Sequence, residues 1–477
     1  MCGFIGLIGE KDVSRRLYTG LLTIQHRGQD SAGMITYSGR FNMKKGNGLV
    51  RDVFNEKNLS YLKGNIGIAH VRYPTVGGGG AEDAQPFYVS IPYGIILAHN
   101  GNIVNYFSLK EEMEKKYYRD LNSTSDAELL LHVLAEELSR RIPFSIHNLF
   151  RAVEGVFKRA LGSYSAVAYI RDRGFLAFRD PNGFKPIVFG QKGKEFIFAS
   201  ESVVLDTLGF KLLRDLYPGE AIFIDKNGRI YKKRIVERPQ TSCIFEYVYF
   251  ARPDSIIDGI SVYEARLRLG RMLAEKIRKT NLKIDVIIPV PDTSRAAAVA
   301  ISEELGIPYR EGFIKNRYIG RTFIMPSQEL RQRSIRLKLN PIKEEFLGKN
   351  VLIIDDSIVR GNTSKEIVSL VREMGAAKVY LGIYSPPLKH PCFYGIDMQT
   401  RGEFIAAERS IDEIKKYIGA DELIYQDMDG LIRGVFGSAN AHCCCACFSG
   451  EYPVPVPEYD MKRIQEDRTK KESEKVE

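Results

Sequence analysis

VLIIDDSIVRGNT, residues 351–363, is the stretch that decides the fold of the second half of the chain. Its apolar run ends in Asp355 and Asp356, and a short polar loop then leads into a helical pattern. The same order of apolar run, polar loop and helix occurs upstream in IDVIIPVPDTSRAAA, residues 284–298. Buried strands that end in polar loops before helices are typical of a parallel sheet. We therefore predict an α/β domain with a parallel sheet for this half.

The loop after this strand has the chemistry of a phosphate site. A loop at the start of a helix presents free backbone N–H groups, and these groups bind anions. The residues that would surround the phosphate are Val359, Arg360, Gly361, Asn362 and Thr363. A plainer interpretation stays open, in which the two aspartates simply end a strand of a doubly wound sheet.

This strand and loop resemble the phosphoribosyl pyrophosphate (PRPP) signature of the type I phosphoribosyltransferases. The resemblance implies that the loop binds the 5′-phosphate, and that Asp355 and Asp356 face the ribose hydroxyls and a divalent cation. It also implies that the upstream loop meets the pyrophosphate, through Asp292, Thr293 and Ser294. One Mg²⁺ per subunit would be held by Ser294, Asp355 and Asp356, a sparse oxygen site that suits this ion when substrate phosphates complete it.

The first half of the chain has a different pattern of predicted strands and helices. Short strands alternate with glycine-rich turns, and helical patterns occur near residues 12–26, 125–141 and 146–160. Such a mixture predicts a layered α+β domain.

The change of texture after ERPQTSC, residues 237–243, places a domain boundary at about 235–255. We predict a first domain at 2–235 and a second domain at 236–455. The remaining residues, 456–477, end in the almost wholly charged stretch KRIQEDRTKKESEKVE, which predicts a disordered tail.

The N-terminus suggests a catalytic nucleophile. Once Met1 is removed, the thiol of Cys2 lies next to a free α-amino group, whose pKa of about 7.7–8.0 allows it to act as a general base. By itself Cys2 is weak evidence for a catalytic role, because a cysteine can occur at the second position by chance. Four further motifs strengthen the case for a catalytic Cys2. They are HRGQDSAG at 26–33, HVRYPTVG at 70–77, AHNGNI at 98–103 and TSDAE at 124–128.

Together these motifs resemble, in content and order, the glutaminase domain of the class II (N-terminal nucleophile) glutamine amidotransferases. The resemblance implies a four-layer αββα fold, with Cys2 as the nucleophile and Arg27 as support for its loop. Asn100 and Gly101 would stabilise the oxyanion, since amide donors suit a developing negative charge. The substrate glutamine would be held at its α-carboxylate by Arg72 and at its α-ammonium by Asp126.

Non-catalytic interpretations of these residues remain open when each residue is considered alone. Arg72 and Asp126 could be solvated surface charges. Asn100 followed by Gly101 is also a strong hairpin-turn signal.

A basic stretch, KNRYIGRTFIMPSQELRQRSIRLKLN at 315–340, lies between the two phosphate loops. It resembles the flexible lid of the glutamine phosphoribosylpyrophosphate amidotransferases, which catalyse the first step of purine synthesis. In that interpretation Lys315, Arg317, Tyr318 and Arg321 screen charge and exclude water from the closed site. A basic surface loop is the alternative.

The seven cysteines are odd in number and crowded near one end, which fits a secreted disulfide framework poorly. Four of them match the ligands of the iron–sulfur branch of the same family, namely Cys243, Cys392, Cys444 and Cys447. The resemblance implies one [4Fe–4S] cluster per subunit with a structural role. Cys443 and Cys445 leave the register of the C-x-x-C pair open, and zinc in a four-cysteine site is the main rival.

Composition excludes several classes of protein. The formal charge of +10 is spread along the chain with no aromatic-interleaved basic repeat, so nucleic acid is not the expected partner. No apolar run reaches membrane-spanning length and the start lacks the features of a signal peptide, so we expect a cytoplasmic protein without a membrane partner.

The resemblance as a whole implies a glutamine-dependent transferase. Glutamine and PRPP would be the substrates, ammonia would pass between the sites through an apolar passage, and purine nucleotides would inhibit a homotetramer. A nucleobase salvage transferase would explain only the second half, and other class II amidotransferases only the first. A non-catalytic nucleotide sensor would not need Cys2, Asn100 or the aspartate pair.

Overall fold

The computed structural model of the chain describes residues 2–73, 80–316, 338–396, 398, 402, 404–464 and 466. Met1, the end of the 70–77 motif, most of the 315–340 stretch and the last residues of the tail lie outside this part. Of the predicted lid residues only Lys315 is described.

Within the described residues, the first half builds two large antiparallel sheets. The first sheet has the order β11-β9-β10-β1-β4-β2-β3 and the second β13-β12-β8-β7-β6-β5. Their strands are β1 (Gly3–Ile8), β2 (Ser31–Tyr37), β3 (Phe41–Asn47), β4 (Ile66–Arg72), β5 (Phe87–Val89), β6 (Ile95–Ile103), β7 (Gly162–Ile170), β8 (Gly174–Arg179), β9 (Val188–Lys192), β10 (Glu195–Ala199), β11 (Lys211–Asp215), β12 (Glu220–Asp225) and β13 (Ile230–Arg234).

The two sheets pack face to face and each carries helices on its outer face. Side chains alternate along β1, so Phe4 joins the layer between the sheets while Ile5 and Leu7 face the helices. The helices are α1 (Ser14–Thr23), α2 (Val50–Val53), α3 (Glu56–Tyr61), α4 (Tyr106–Tyr117), α5 (Asp126–Ser139), α6 (Ile146–Arg159) and α7 (Val203–Leu208). The predicted four-layer αββα architecture is therefore confirmed.

The second half contains a parallel sheet of order β17-β20-β21-β22, again as predicted. The strands of this half are β14 (Ser242–Cys243), β15 (Ile256–Ile257), β16 (Ile260–Ser261), β17 (Val286–Pro289), β18 (Phe313–Lys315), β19 (Leu339–Pro341), β20 (Asn350–Asp355), β21 (Lys378–Ile383), β22 (Glu422–Tyr425) and β23 (Cys443–Cys444). Its helices are α8 (Val262–Arg278), α9 (Arg295–Leu305), α10 (Asn362–Glu373), α11 (Ile411–Ile418), α12 (Met428–Phe436) and α13 (Ala446–Ser449). A π-helical turn, Glu246–Phe250, connects the halves.

The beginning of the charged tail is ordered, which corrects the prediction of disorder from residue 456. Residues 458–464 are helical, and Asp460 is fully buried. Its carboxylate accepts hydrogen bonds from the backbone N–H and the hydroxyl of Ser108, at 3.0 and 2.7 Å, near the start of α4. The prediction failed because composition does not reveal a partner that lies far away in the sequence. None of the described helices combines the length and apolar character needed to cross a membrane.

Candidate active sites

Cys2 lies immediately before β1 and is almost completely buried. Its thiol donates to the carbonyl oxygen of Tyr73 at 3.6 Å. Its backbone nitrogen, which becomes the α-amino nitrogen when Met1 is removed, lies 3.3 Å from Oδ1 of Asn100 in the opposite sheet. The structure thus brings together the predicted nucleophile, its predicted base and the first predicted oxyanion residue.

Asn100 is fully buried, and its two side-chain atoms have different surroundings. Oδ1 accepts from the Cys2 nitrogen, whereas Nδ2 has no hydrogen-bond partner within the part of the chain that the structure describes. Leaving a buried donor unpaired costs about 1–3 kcal/mol, so such atoms are rare and call for an explanation. An amide donor beside a thiol is suited to receive a negatively charged oxygen.

Gly101 has a backbone conformation that favours glycine, with φ of +155°. A Cβ added there would lie 2.0 Å from the carbonyl oxygen of Ser163 in the neighbouring strand β7. Sequence alone offered a hairpin turn as the alternative for Asn100 and Gly101, and that alternative is wrong because both residues lie inside strand β6.

We expect Gly101→Ala to destabilise the protein by more than roughly 3 kcal/mol, because strain of about 1–3 kcal/mol is added to a clash with the main chain. Gly193→Ala is the matched control, since Gly193 also has a positive φ but an added Cβ would meet nothing within 4 Å. That control should cost about 1 kcal/mol. Thermal unfolding measures both, and equal changes in melting temperature would contradict the packing argument.

Arg72 ends β4 and Asp126 begins α5, and both are buried. The interpretation of these residues as solvated surface charges is therefore wrong. Arg72 Nη2 lies 3.4 Å from Asp83 Oδ2. Asp126 accepts from the N–H of Ile103 at 3.1 Å, and its other oxygen lies 3.3 Å from Nε2 of His99.

The surroundings of Asp126 favour its charged form. Burial alone would raise the pKa of this carboxyl, but His99 and the N–H of Ile103 outweigh burial and hold the pKa below its usual value. A buried carboxylate and a buried guanidinium in one site suit the two charged groups of an amino acid. His99 belongs to the AHNGNI motif but had no predicted role, whereas Asp83 lies outside every motif.

Arg27 lies in the short 3₁₀ turn Gln25–Arg27 and is fully buried. Its Nε donates to the carbonyl oxygen of Cys2 at 3.0 Å, which fits the predicted support of the nucleophile. Its other nitrogens donate to Glu201 at 2.5 Å and to both oxygens of Glu246 at 2.8 and 3.0 Å. Burial alone would lower the pKa of Arg27, but Glu246 and Glu201 outweigh it and raise that pKa. Neither glutamate belongs to a motif, so sequence reasoning missed both.

The second constellation lies at the carboxyl edge of the parallel sheet. Because β17 and β20 are parallel neighbours, the loops that follow them meet. Thr293 Oγ1 donates to Asp356 Oδ2 at 2.7 Å, and Ser294 Oγ donates to Asp355 Oδ1 at 3.4 Å. The two predicted loops therefore form one site.

The surroundings of the aspartate pair disfavour the charged form of both carboxyls. Burial and repulsion from Asp356 raise the pKa of Asp355 well above its usual range. Burial likewise raises the pKa of Asp356, although hydrogen bonds from Ser357 and Thr293 oppose the shift. A divalent cation or a hydroxyl-bearing ligand would relieve this repulsion.

The predicted phosphate loop lies at the start of α10. Gly361 is the N-cap residue, with φ of +79°, and a Cβ added there would lie 2.6 Å from Ile405 Cδ1. The hydroxyl of Tyr417 donates to Asn362 Oδ1 at 2.7 Å and so fixes the first helical residue. The loop thus presents the start of a helix to the space beside the aspartates, as a phosphate site requires. Thr363 follows in the first turn, and Val359 and Arg360 precede the cap.

One predicted lid residue is visible beside this site. Lys315 at the end of β18 donates to Asp292 Oδ2 at 2.8 Å, and Asp292 also lies 3.2 Å from Arg295. The base of the basic stretch therefore contacts the loop predicted to meet pyrophosphate. Arg317, Tyr318 and Arg321 lie outside the described residues.

The four cysteines predicted to be ligands lie in one region, where segments of the two halves pack together. Strand β14 pairs in parallel with β23, which places Cys243 opposite Cys444. Burial raises the pKa of Cys447, and the nearby thiols of Cys392, Cys243 and Cys444 raise it further. All four are buried and none forms a disulfide. Cys443 and Cys445 instead lie 3.3 Å from each other, sulfur to sulfur.

A positive charge lies beside these thiols. Lys185 is fully buried, and although burial lowers its pKa, Cys243, Glu246 and Cys392 outweigh burial and raise it. Four buried sulfurs near a buried ammonium fit a group that is bound by thiolates. Among the described residues, no group of three His, Cys, Asp or Glu side chains has the spacing expected for a metal ion.

The segment that carries Cys392 also contacts the first half of the chain directly. Asn102 Nδ2 donates to the carbonyl oxygen of Phe393 at 2.9 Å, and Ser163 Oγ donates to that of Tyr394 at 2.8 Å. The ring of Tyr394 stacks on Phe184 with a centroid separation of 4.4 Å. The thiol site is therefore built against the strand that carries the predicted oxyanion residues.

Comparison with known proteins connects both constellations to one family. The glutamine amidotransferase domain matches residues 75–207 and the phosphoribosyl transferase domain matches residues 260–384. An amidophosphoribosyltransferase of Pseudomonas aeruginosa is 49% identical over 100% of this chain and 98% of its own. That of Escherichia coli is 50% identical over 91% of this chain and 88% of its own.

A solved structure is similar over nearly the same length. Glutamine PRPP amidotransferase from B. subtilis, complexed with ADP and GMP, has a TM-score of 0.86 and 39% identity, covering 96% of this chain and 98% of that one. Sequence, fold and the pairing of the two domains agree, and the chain therefore belongs to the amidophosphoribosyltransferase family.

Proposed function

We propose that Cys2 releases ammonia from glutamine and that the second site adds this ammonia to PRPP. Family membership makes the chain a glutamine-dependent transferase, and its substrates are glutamine and PRPP. The reaction converts glutamine, PRPP and water into 5-phosphoribosylamine, glutamate and pyrophosphate, the first committed step of purine biosynthesis. The observation that carries the assignment of residues is Asn100, which binds the Cys2 nitrogen while its own amide donor stays unpaired within the described chain.

The glutaminase step uses residues that the fold has already brought together. The Cys2 sulfur attacks the side-chain amide carbon, and its proton passes to the α-amino group. Asn100 Nδ2 and the Gly101 N–H stabilise the oxygen of the tetrahedral intermediate. The proton then goes to the departing nitrogen, which leaves as ammonia, and water hydrolyses the thioester to glutamate. Arg72 and Asp126 hold the charged end of the substrate throughout.

The transferase step breaks the bond between the ribose C1 and the pyrophosphate oxygen and forms a bond from C1 to nitrogen. The α10 loop holds the 5′-phosphate, and the Asp292–Ser294 loop holds the pyrophosphate as it leaves. Mg²⁺ bound by Ser294, Asp355 and Asp356 would neutralise charge on the pyrophosphate. Asp355 and Asp356 orient the ribose hydroxyls. Lys315, with Arg317, Tyr318 and Arg321, excludes water that would compete with ammonia.

The proposal extends to the organisation of the enzyme. The glutaminase domain comprises residues 2–235 and the phosphoribosyltransferase domain residues 236–455. We place the enzyme in the cytoplasm as a homotetramer that purine nucleotides inhibit. The similar B. subtilis enzyme, which was solved with ADP and GMP, supports a response to nucleotides.

We further propose that Cys243, Cys392, Cys444 and Cys447 hold one [4Fe–4S] cluster. Its role would be structural, since it would join the segment after the first domain to two segments near the C-terminus. Burial of all four thiols and the nearby ammonium of Lys185 support this proposal. Cys443 and Cys445 have no part in it.

Protein purified without oxygen should contain iron and acid-labile sulfide in equal amounts and absorb visible light. Cys392→Ser should lose both the iron and the absorption, because a cluster site of this kind depends on four thiolates. Cys445→Ser is the matched control and should keep both. Zinc in place of iron would contradict the cluster assignment, and loss of iron in the control would contradict the choice of ligands.

The overall reaction is tested with glutamine labelled with ¹⁵N at its side-chain amide. Incubation with PRPP and Mg²⁺ should place the label in phosphoribosylamine, with equal amounts of glutamate and pyrophosphate. Glutamate released without pyrophosphate would contradict the proposed coupling of the two sites.

A further inference from the structure

The support of Cys2 comes partly from the other half of the chain. Arg27 donates to the Cys2 carbonyl oxygen, and it is held in turn by Glu201 and by a two-oxygen contact with Glu246. Glu246 begins the π-helical turn Glu246–Phe250, which follows Cys243. The guanidinium that donates to the nucleophile's backbone is therefore shared between the glutaminase half and the phosphoribosyltransferase half.

Glu201 is tied to the same connecting segment. Its second oxygen accepts from the N–H of Arg252 at 3.0 Å and from the hydroxyl of Ser255 at 2.7 Å. Its first oxygen also contacts Nε2 of His26 at 2.8 Å. The carboxylate of Glu201 therefore accepts from several partners, whereas both oxygens of the Glu246 carboxylate accept from Arg27.

The segment that bears Glu246 is held firmly on its other side. The guanidinium of Arg266 on α8 donates to the carbonyl oxygens of Tyr247, Tyr249 and Ala251, at 2.9, 3.1 and 2.8 Å. The hydroxyl of Tyr384 donates to the carbonyl oxygen of Val248 at 3.0 Å. Rigid support of this kind is what a residue needs if it is to hold a neighbour in place.

We propose that Glu246 is a positioning residue for the glutaminase reaction, because it fixes Arg27 and through Arg27 the backbone of Cys2. The glutaminase site is then incomplete without the second domain. The proposal rests on the role of Cys2 as nucleophile. Bidentate contacts define both distance and orientation, so replacing one carboxylate oxygen by an NH2 group removes one of the two acceptors that orient Arg27. A misplacement of the reacting group by about 1 Å can cost on the order of 10²-fold in rate.

The test compares Glu246→Gln with Asp258→Asn in the full-length enzyme. Asp258 also forms a buried ion pair between the halves, with Arg179 Nη1 at 2.7 Å, but it does not contact Arg27 or Cys2. Glu246→Gln should lower kcat with glutamine by roughly 10- to 100-fold, with little change in KM and full ammonia-dependent synthesis. Asp258→Asn should keep glutamine use even if its melting temperature falls as much as that of Glu246→Gln.

Alkylation of Cys2 by iodoacetamide, followed by mass spectrometry of the N-terminal peptide, provides a readout independent of turnover. Glu246→Gln should slow alkylation and change its pH profile, and Glu246→Asp, which keeps the charge, should restore part of the rate. If Glu246→Gln yields no soluble protein, Glu246→Asp decides alone: an unchanged rate of alkylation and an unchanged kcat would overturn the inference.

Two patterns of activity loss would also contradict the inference. One is an equal loss of glutamine and ammonia activities in Glu246→Gln, and the other is an equal loss of glutamine use in Asp258→Asn. The underlying role of Cys2 is tested separately, since Cys2→Ala that still uses glutamine would contradict that role. Loss of glutamine use in Cys2→Ala, with normal activity in Glu246→Gln, would contradict the positioning role alone.

Discussion

Cys2→Ala should abolish synthesis of phosphoribosylamine from glutamine while leaving synthesis from added ammonia intact. The thiol is the only group in the proposed glutaminase step that forms a covalent bond to the substrate. Loss of a catalytic nucleophile can cost about 10⁶-fold in kcat, so we expect glutamine-dependent activity to fall on the order of 10⁴-fold or more. The second site lies in another domain and keeps all its residues, so ammonia should still be used.

The measurement is pyrophosphate release with PRPP and either glutamine or ammonium at a pH where free ammonia is abundant. The ammonia reaction is an internal control for folding of the variant. Equal loss with both nitrogen donors would show that the proposed division of labour is wrong. Retention of Met1 should have the same effect as the substitution, because it leaves the thiol without its neighbouring amine.

Asp355→Asn should stop both reactions, with glutamine and with ammonia. The substitution removes one of the two carboxylates at the carboxyl end of β20, and with it a proposed ligand of Mg²⁺ and of the ribose hydroxyls. Metal-assisted charge stabilisation contributes several kcal/mol, so we expect a loss of roughly 10³-fold. The amide should fit the space, because it has nearly the same shape as the carboxyl.

Asp285→Asn is the matched control for this variant. Asp285 lies at the opposite end of the same strands, where its carboxylate accepts from the N–H of Asn350 at 2.8 Å. It should keep both activities. A glutamine-specific loss in Asp355→Asn, or an equal loss in Asp285→Asn, would contradict the assignment of the aspartate pair to PRPP.

Much of the fold could be predicted because the two halves carry different periodicities. The helical patterns near 125–141 and 146–160 correspond to Asp126–Ser139 and Ile146–Arg159, and the apolar run before Asp355 forms a central strand of a parallel sheet. Buried strands and amphipathic helices leave such local patterns. The helix at 458–464 left none, since its order depends on contacts with α4.

Some residues of the candidate sites could likewise be predicted from the sequence, and others could not. Cys2, Asn100 and Gly101 could be found because each occurs in a motif, and the structure brings them together. Glu201 and Glu246 could not be found, because an acidic residue outside a motif is most often a solvated surface charge. Only the fold shows that both carboxylates are buried around Arg27, where a charge requires a partner.

The pairing of Cys243 with Cys444 also sets an order of events while the chain is being made. Domains generally fold as units, the N-terminal one first, as the polypeptide leaves the ribosome. The two large sheets can therefore assemble while the thiol site still lacks its last two members. Since β23 supplies one wall of that site, the cluster proposed there would form only after synthesis has passed Cys447.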